Sequence, residues 1–286
     1  MDFFVDILTD AALDTLRLIP FLFLTYLAME AIEHKAEGKT EEWVERAGSS
    51  GPFIGALLGA FPQCGFSAAA STLYAGRVIS LGTLFAVYLA TSDEMLPILI
   101  AEQEPMLIVK ILGAKVIIGM VMGFIVDAVM RLVKRNEKQV HIHELCEQEH
   151  CDCEDGIFKS AVKHTLHVVL FIFLISLVLG GVIEAVGEDV LGEFLAAQPM
   201  LSVFASCLVG LIPNCAASVV ITELFLEGTI STGAMMGGLL TGAGIGLLVL
   251  FRANRPMKQN LLIVAMLWAI GVAWGACFDA LGIVFV

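Results

Sequence analysis

Charge is scarce in this chain of 286 residues. Only 16% of positions are Asp, Glu, Lys or Arg, where soluble domains carry about 25%. Basic residues are scarcer still, 16 against 29 acidic ones, leaving a formal net charge of -13. A nucleic-acid partner, which needs a basic face, is excluded. No G-x-x-x-x-G-K-[ST] loop is present, so the chain does not hydrolyse nucleotide itself. There is no H-E-x-x-H and no C-x-x-C in an apolar segment. The G-x-G at Gly242-Ala243-Gly244 lies inside an apolar run and follows no strand, so it is no nucleotide fingerprint. The seven cysteines make no secreted disulfide framework: Cys146, Cys151 and Cys153 share one polar loop, and Cys64, Cys207, Cys215 and Cys277 lie in apolar runs. The first residues, Met1-Asp2-Phe3-Phe4-Val5-Asp6, are acidic and no A-x-A-like site follows the first apolar run. Neither a signal peptide nor a lipid anchor is expected. No cofactor is implied, and the chain is not expected to be an enzyme.

What the chain has instead is apolar length. Hydrophobic residues make up 58% of it and the mean hydropathy is +0.88. They fall in runs of about 20 or more, the length of helix that crosses a ~30 Å hydrocarbon core. Eight apolar segments are expected, at 11–33, 51–75, 78–101, 106–133, 158–186, 198–226, 230–251 and 259–285. The runs are too long and continuous for barrel strands, and lipid tolerates no open backbone, so the expected fold is all-α and membrane-integral.

An internal repeat runs at an offset of about 150 residues. Pro62-Gln63-Cys64 with Ser67 is matched by Pro213-Asn214-Cys215 with Ser218, and Ile79-Ser80 with Gly82 by Ile230-Ser231 with Gly233. Gly119, Gly123 and Asp127 are matched by Gly271, Gly275 and Asp279. The expected domains are a first membrane repeat at 1–133, a polar loop at 134–157 and a second membrane repeat at 158–286.

Basic residues cluster at 34–50, at 131–138 with Lys159 and Lys163 beyond, and at 252–258, and the positive-inside rule makes all three cytoplasmic. All fall on one side only if 51–75 and 198–226 dip in and return. Pro62 and Pro213 support this, because proline breaks a helix in its interior. Each repeat then has three spanning helices plus a broken or re-entrant hairpin, and the two repeats are inverted. Counting half-helices separately gives ten.

Two hairpin tips meeting at mid-depth would make a polar pocket of Gln63, Cys64 and Ser67 with Asn214, Cys215 and Ser218. A packing break with small buried thiols is the plainer alternative. Thr91-Ser92-Asp93-Glu94 places two adjacent carboxylates in an apolar run, and Thr241-Gly242-Ala243-Gly244 stands in the corresponding stretch. Intramembrane carboxylates are functional candidates by default, so Asp93 or Glu94 would bind a cation or carry a proton. Lys115 lies deep in its run; it would pair with those acids and tune their proton affinity, or snorkel to the outer face. Asp127 and Asp279, beside Gly123 and Gly275, suit close packing and capping of neighbouring breaks.

The loop residues His141, His143, Cys146, His150, Cys151 and Cys153 are dense in metal-ligand types. Thiolate and imidazole suit zinc, copper(I), cadmium or trivalent arsenic, though the spacing is no defined zinc motif. A solvated acidic linker is the alternative.

Phe61-Pro62-Gln63-Cys64-Gly65-Phe66-Ser67, Gly82-Thr83-Leu84 and Thr91-Ser92-Asp93-Glu94-Met95-Leu96-Pro97 resemble the family of ten-transmembrane heavy-metal exporters. Gly210-Leu211-Ile212-Pro213-Asn214-Cys215-Ala216 and Thr241-Gly242-Ala243-Gly244-Ile245-Gly246 resemble its second half. Labels of arsenic efflux and manganese transport both attach to that family. The resemblance implies a secondary-active plasma-membrane exporter of a metal or metalloid ion: manganese, zinc or an arsenic species. Lipid, the ion and coupling protons are its expected partners, and a homo-oligomer is compatible with it. A permease for a small organic anion and a membrane-embedded thiol oxidoreductase are the alternatives. Asp93→Asn and Glu94→Gln are expected to leave the protein folded and to abolish pH-driven flux in vesicles; wild-type flux in both would remove the acids from the coupling step.

Overall fold

The structure is a computed structural model. It describes residues 50–61, 64–92, 95–101, 105–133, 157–186, 199–255 and 257–285, with 8–9, 11–13, 15–16, 19–20, 22–24 and 26–27 near the N-terminus. Among the described residues all regular structure is helical. The helices are α1 (Gly51–Gly59), α2 (Cys64–Ala75), α3 (Leu81–Ala90), α4 (Met95–Ala101), α5 (Pro105–Val133), α6 (Ile157–Val186), α7 (Pro199–Gly210), α8 (Cys215–Leu226), α9 (Thr232–Thr241), α10 (Gly246–Ala253) and α11 (Met257–Ala280). The described residues within 8–27 are helical too. Among them all, three stretches are long and apolar enough to cross a bilayer: Pro105–Leu132, Met257–Ala280, and Thr232–Ala253 taken across its break. Shorter apolar helices surround them.

Breaks near Pro62 and Pro213 are expected and present, between α1 and α2 and between α7 and α8. Two further breaks correct the expectation of continuous segments at 78–101 and 230–251. The first of these runs leaves the helix after Ala90, with α4 beginning at Met95, and the second parts at 242–245. Pro97 lies in the first turn of α4, where its missing N–H is harmless; within one long helix its ring would clash with the carbonyl four residues earlier. Thr91 and Ser92 turn their hydroxyls onto the carbonyls of Val87 and Ala90, a local alternative to the helical ladder. In the second run Gly242 leaves helical geometry and Gly244 takes a φ of 54°, which glycine adopts without steric cost.

Helix directions follow from contacts between small residues. Gly51 lies against Thr83, and Gly59 against Val87 and Ala90, so α1 runs alongside α3 in the same direction. α2 returns beside α3, with Ser71 meeting Tyr88. α5 runs back along α3: Gly119 abuts the Ala86 carbonyl, and a Cβ on Gly82 would overlap the Gly123 carbonyl oxygen. The second half repeats these contacts. Gly210 lies against Gly238 and Thr241, Gly271 against Gly237, and Gly275 against Gly233. The halves interlock through α2 with α10, α4 with α8, and α3 with α9. Gly246 of α10 abuts Ser67 of α2, and Gln259 just beyond α10 donates to the Tyr74 hydroxyl at 2.6 Å. α10 therefore runs with α2 and against α3.

One carboxylate clamps each half. Ser80 caps α3 from an extended conformation and accepts from the Thr83 N–H. The Asp127 carboxylate, projecting from α5, accepts from the Gly82 N–H at 2.8 Å and the Ser80 hydroxyl at 2.7 Å. Asp279 treats Gly233 (2.9 Å) and Ser231 (2.8 Å) in the same way. A negative charge at a helix N-terminus is favoured by the orphan N–H groups there. The capping expected of both aspartates is thus observed.

Most of the outer surface of α5 is apolar: Met106, Val109, Ile117 and Leu132 are all exposed. α9–α10 is the inner element, with 83% of its apolar window buried against 28% for α5 and α11.

Asp127→Ala is expected to cost about 3 kcal/mol, because it strips a charged acceptor from a buried N–H and a hydroxyl. Asp127→Asn, which keeps one acceptor oxygen, should cost about half as much. Asp279→Ala should cost less than Asp127→Ala, since Asp279 is exposed. Thermal unfolding in detergent measures all three; equal losses at the two positions would rule out burial as the cause of the difference.

Candidate functional site

The break at 242–245 leaves the last turn of α9 with a spare acceptor. The Leu239 carbonyl would ordinarily receive the Ala243 N–H, but that N–H turns to the Thr241 carbonyl at 2.9 Å. A carbonyl freed at membrane depth needs another donor. Lys115, on α5 of the other half, donates to Leu239 O from Nζ at 2.5 Å. Its side chain is 2% exposed. This corrects the alternative that Lys115 snorkels to the outer face: it points inward, to the end of a broken helix.

Around that contact the two halves enclose a cavity. The first half supplies Thr91, Ser92, Met95 and Lys115. The second supplies Asn214, Ala217, Ser218 and Ile221, with backbone near Gly210, Gly238, Leu239, Gly242 and Gly244. Its volume is about 10 Å³, close to the least that admits one ordered water. The end of α9 borders it with Gly238 and Leu239, and the first turns of α4 and α8 reach it with Met95, Ala217 and Ser218. The side-chain donors on the described lining are hydroxyls, an amide and an amine, with the Met95 thioether the one sulfur among them.

Thr91, Ser92, Asn214, Ser218 and Lys115, all singled out from the sequence, therefore line one cavity. Thr241 does not line it. Its hydroxyl lies 3.0 Å from the Cys207 carbonyl and 2.9 Å from the Gly238 carbonyl, tying α9 to α7. Counting from the matched caps Ser80 and Ser231, Thr241 corresponds to Ala90, and Gly244 to Asp93. The pairing of Thr91 with Thr241 is corrected by one residue. Ser67 also lies outside the lining, in the seam where α2 meets Gly246. Gln63, Asp93, Glu94 and the loop residues His141, His143, Cys146, His150, Cys151 and Cys153 lie outside the described residues, as do the side chains of Cys64 and Cys215. Among the described residues no three His, Cys, Asp or Glu side chains converge on a common point.

Sequence reasoning missed the seam beside the cavity. The Ser71 hydroxyl lies 2.7 Å from Ser67 O, from the Tyr88 hydroxyl and from Gly246 O. Tyr88 donates to Gly246 O at 3.2 Å. The sequence carried one sign of it, a hydroxyl residue at matched positions, Ser71 and Thr222, four residues after the matched Ser67 and Ser218; the structure shows that Thr222 likewise bonds Ser218 O, at 2.7 Å.

Residues 1–196 match the family described as "Putative, 10TM heavy-metal exporter". No curated protein and no solved structure matches the chain.

Ser218→Leu should overfill the cavity at a cost of about 1–3 kcal/mol while leaving the clamps in place. Flux through the protein should fall by about tenfold or more while the protein still unfolds in one cooperative transition, at a melting temperature several degrees lower. Undiminished flux would mean that solute does not pass this point.

Proposed function

The chain belongs to the ten-transmembrane heavy-metal exporter family, and from that premise we propose that it is a multi-pass, secondary-active exporter of a small metal or metalloid ion, coupled to protons. Two inverted halves, 1–133 and 158–286, rock about a central site, with the loop 134–157 on the cytoplasmic side of the plasma membrane. The broken pairs α1–α2 and α7–α8 act as re-entrant hairpins. Thr91, Ser92, Asn214 and Ser218 line the route, Asp93 or Glu94 carries the coupling proton, and Cys64 and Cys215 add soft ligands if the cargo is thiophilic. The loop histidines and cysteines collect metal on the inner side.

The observation that carries this proposal is the cavity itself. It lies where broken helices of both halves meet, and it combines hydroxyls, an amide and freed backbone groups. Broken helices at the interface between repeats are a transporter's way of holding an ion at membrane depth. Inversion is supported by chain direction: α10 runs against α3 and continues, across its break, the crossing begun by α9, the counterpart of α3, while each half keeps the same aspartate clamp. The hairpins are supported by α1 running with α3 and α2 running back. Orientation is supported by Arg77, whose guanidinium reaches Gln259 Oε1 at 3.4 Å. That contact sets the 76–80 turn beside the basic 252–258 turn. The small volume favours a bare ion over an organic anion.

Proteoliposomes with an imposed pH gradient, offered manganese, zinc, cadmium and arsenite, test this. Gradient-driven movement of one ion, lost in Glu94→Gln, is expected. Loss in Cys64→Ser as well would mark a thiophilic cargo, and retention there an oxygen-bound one. Movement of none, with the protein correctly inserted, would overturn the proposal.

A further inference from the structure

The contact between Lys115 and Leu239 joins the two halves at the cavity, and it is one-sided. Lys115 corresponds to Leu267 in the second half, and Leu267 is a fully buried core residue. The amine therefore does not belong to the packing that the repeat conserves between its halves. It serves a carbonyl that the helix break has freed, at the end of α9 where partial negative charge accumulates. A cation entering the cavity would meet this same carbonyl end. Lys115 and such a cation cannot share it. Two like charges at contact distance, shielded from bulk water, repel strongly enough to make their occupancies exclusive.

Resting on the exporter reading above, we propose that Lys115 is a tethered cation: in the carrier without cargo its ammonium takes the place of the transported cation at the broken end of α9, and it withdraws from Leu239 when cargo binds. The cargo is then a cation rather than a neutral metalloid or an anion. The carbonyl end is covered in both states, so the empty carrier can reorient across the bilayer without exposing an unpaired polar group. Lys115 also reaches from α5 to α9, so its withdrawal releases one tie between the halves as cargo arrives. The role is one of positioning and competition, and no proton transfer is assigned to it.

Lys115→Met tests this, with Lys115→Gln as a second variant that keeps a donor without the charge. Binding of manganese, with zinc and cadmium in parallel, is measured on the purified protein. Net export is compared with exchange in proteoliposomes carrying the same ion on both sides. Removing a built-in competitor should tighten binding, while net export should fall relative to exchange by about tenfold or more, because only the empty return step needs the lysine. A merely structural lysine would weaken binding and lower both fluxes together, and that result would overturn the proposal. A third readout needs no cargo. Spin labels at Val109 and Glu227, both exposed, report the separation of the halves in cargo-free protein. Lys115→Met should broaden or shift that distance; an unchanged distribution would overturn the proposal whichever ion the protein carries. Failure of every ion to bind or move in wild type, with the distance shift present, would instead count against the exporter reading.

Discussion

Inside a bilayer no water is available to satisfy a backbone group that leaves its helix, and each unpaired group costs several kcal/mol. This chain breaks its helices repeatedly, so everything near the breaks is arranged to cover the groups set free. Thr91 and Ser92 bend back to their own carbonyls. Thr241 reaches across to α7. Leu239 O is met by Lys115 from the other half, and Gly246 O, in the first turn of α10, takes Ser71 and Tyr88 from the other half as further donors. The last two ties bind the halves together, because their donors lie in the first half and their acceptors in the second. Cohesion between the halves and the polarity of the cavity thus have one origin.

Where the two halves agree, the shared features are mechanical. The serine cap, the aspartate clamp and the glycine contacts recur in both and let α3 with α5 and α9 with α11 approach at backbone distance. Where they differ, the difference carries charge. Lys115 corresponds to Leu267, and Asp93 to Gly244, in the repeat. Arg77 belongs to the same set. Its turn closes with Arg77 N–H on Tyr74 O and Val78 N–H on Leu73 O, and the matching turn closes with Gly228 N–H on Phe225 O and Thr229 N–H on Leu224 O. That geometry needs a left-handed residue, and glycine is its usual occupant. Arg77 adopts a φ of 59° there, the one non-glycine residue to do so among those described. A left-handed L-residue costs about 1–2 kcal/mol. Its guanidinium stacks over Tyr74 and reaches Gln259 beyond α10, contacts that a glycine would not supply. The copy that became charged became the one that touches its partner.

Much of this was legible in the residues. Composition alone required lipid as solvent, and the repeat emerged because Pro, Ser, Gly and Asp recur in order where chance apolar similarity would match only Leu and Val. Pro62 and Pro213 announced two breaks. The breaks after Ala90 and Thr241 escaped notice because the hydropathy of each run continues across them; Pro97 was the signal in one and the glycine cluster in the other. Candidate residues were recognisable as polar groups in apolar runs, a criterion that finds Lys115 and Ser218 but passes over Tyr88 and Ser71, whose chemistry is unremarkable until their neighbours are known.

By itself the sequence determined the solvent, the helical class, the duplication and which polar residues could not be idle, since these depend on composition, run length and the cost of burying a charge. Which of them meet was decided by tertiary structure. Five of the flagged residues share one cavity while Thr241 and Ser67 serve seams, and Lys115 turns inward rather than outward. The reason is that a freed carbonyl has no mark in the sequence. Leu239 is an ordinary leucine in an apolar run, and only the path of the chain after Thr241 makes its carbonyl the acceptor that Lys115 reaches.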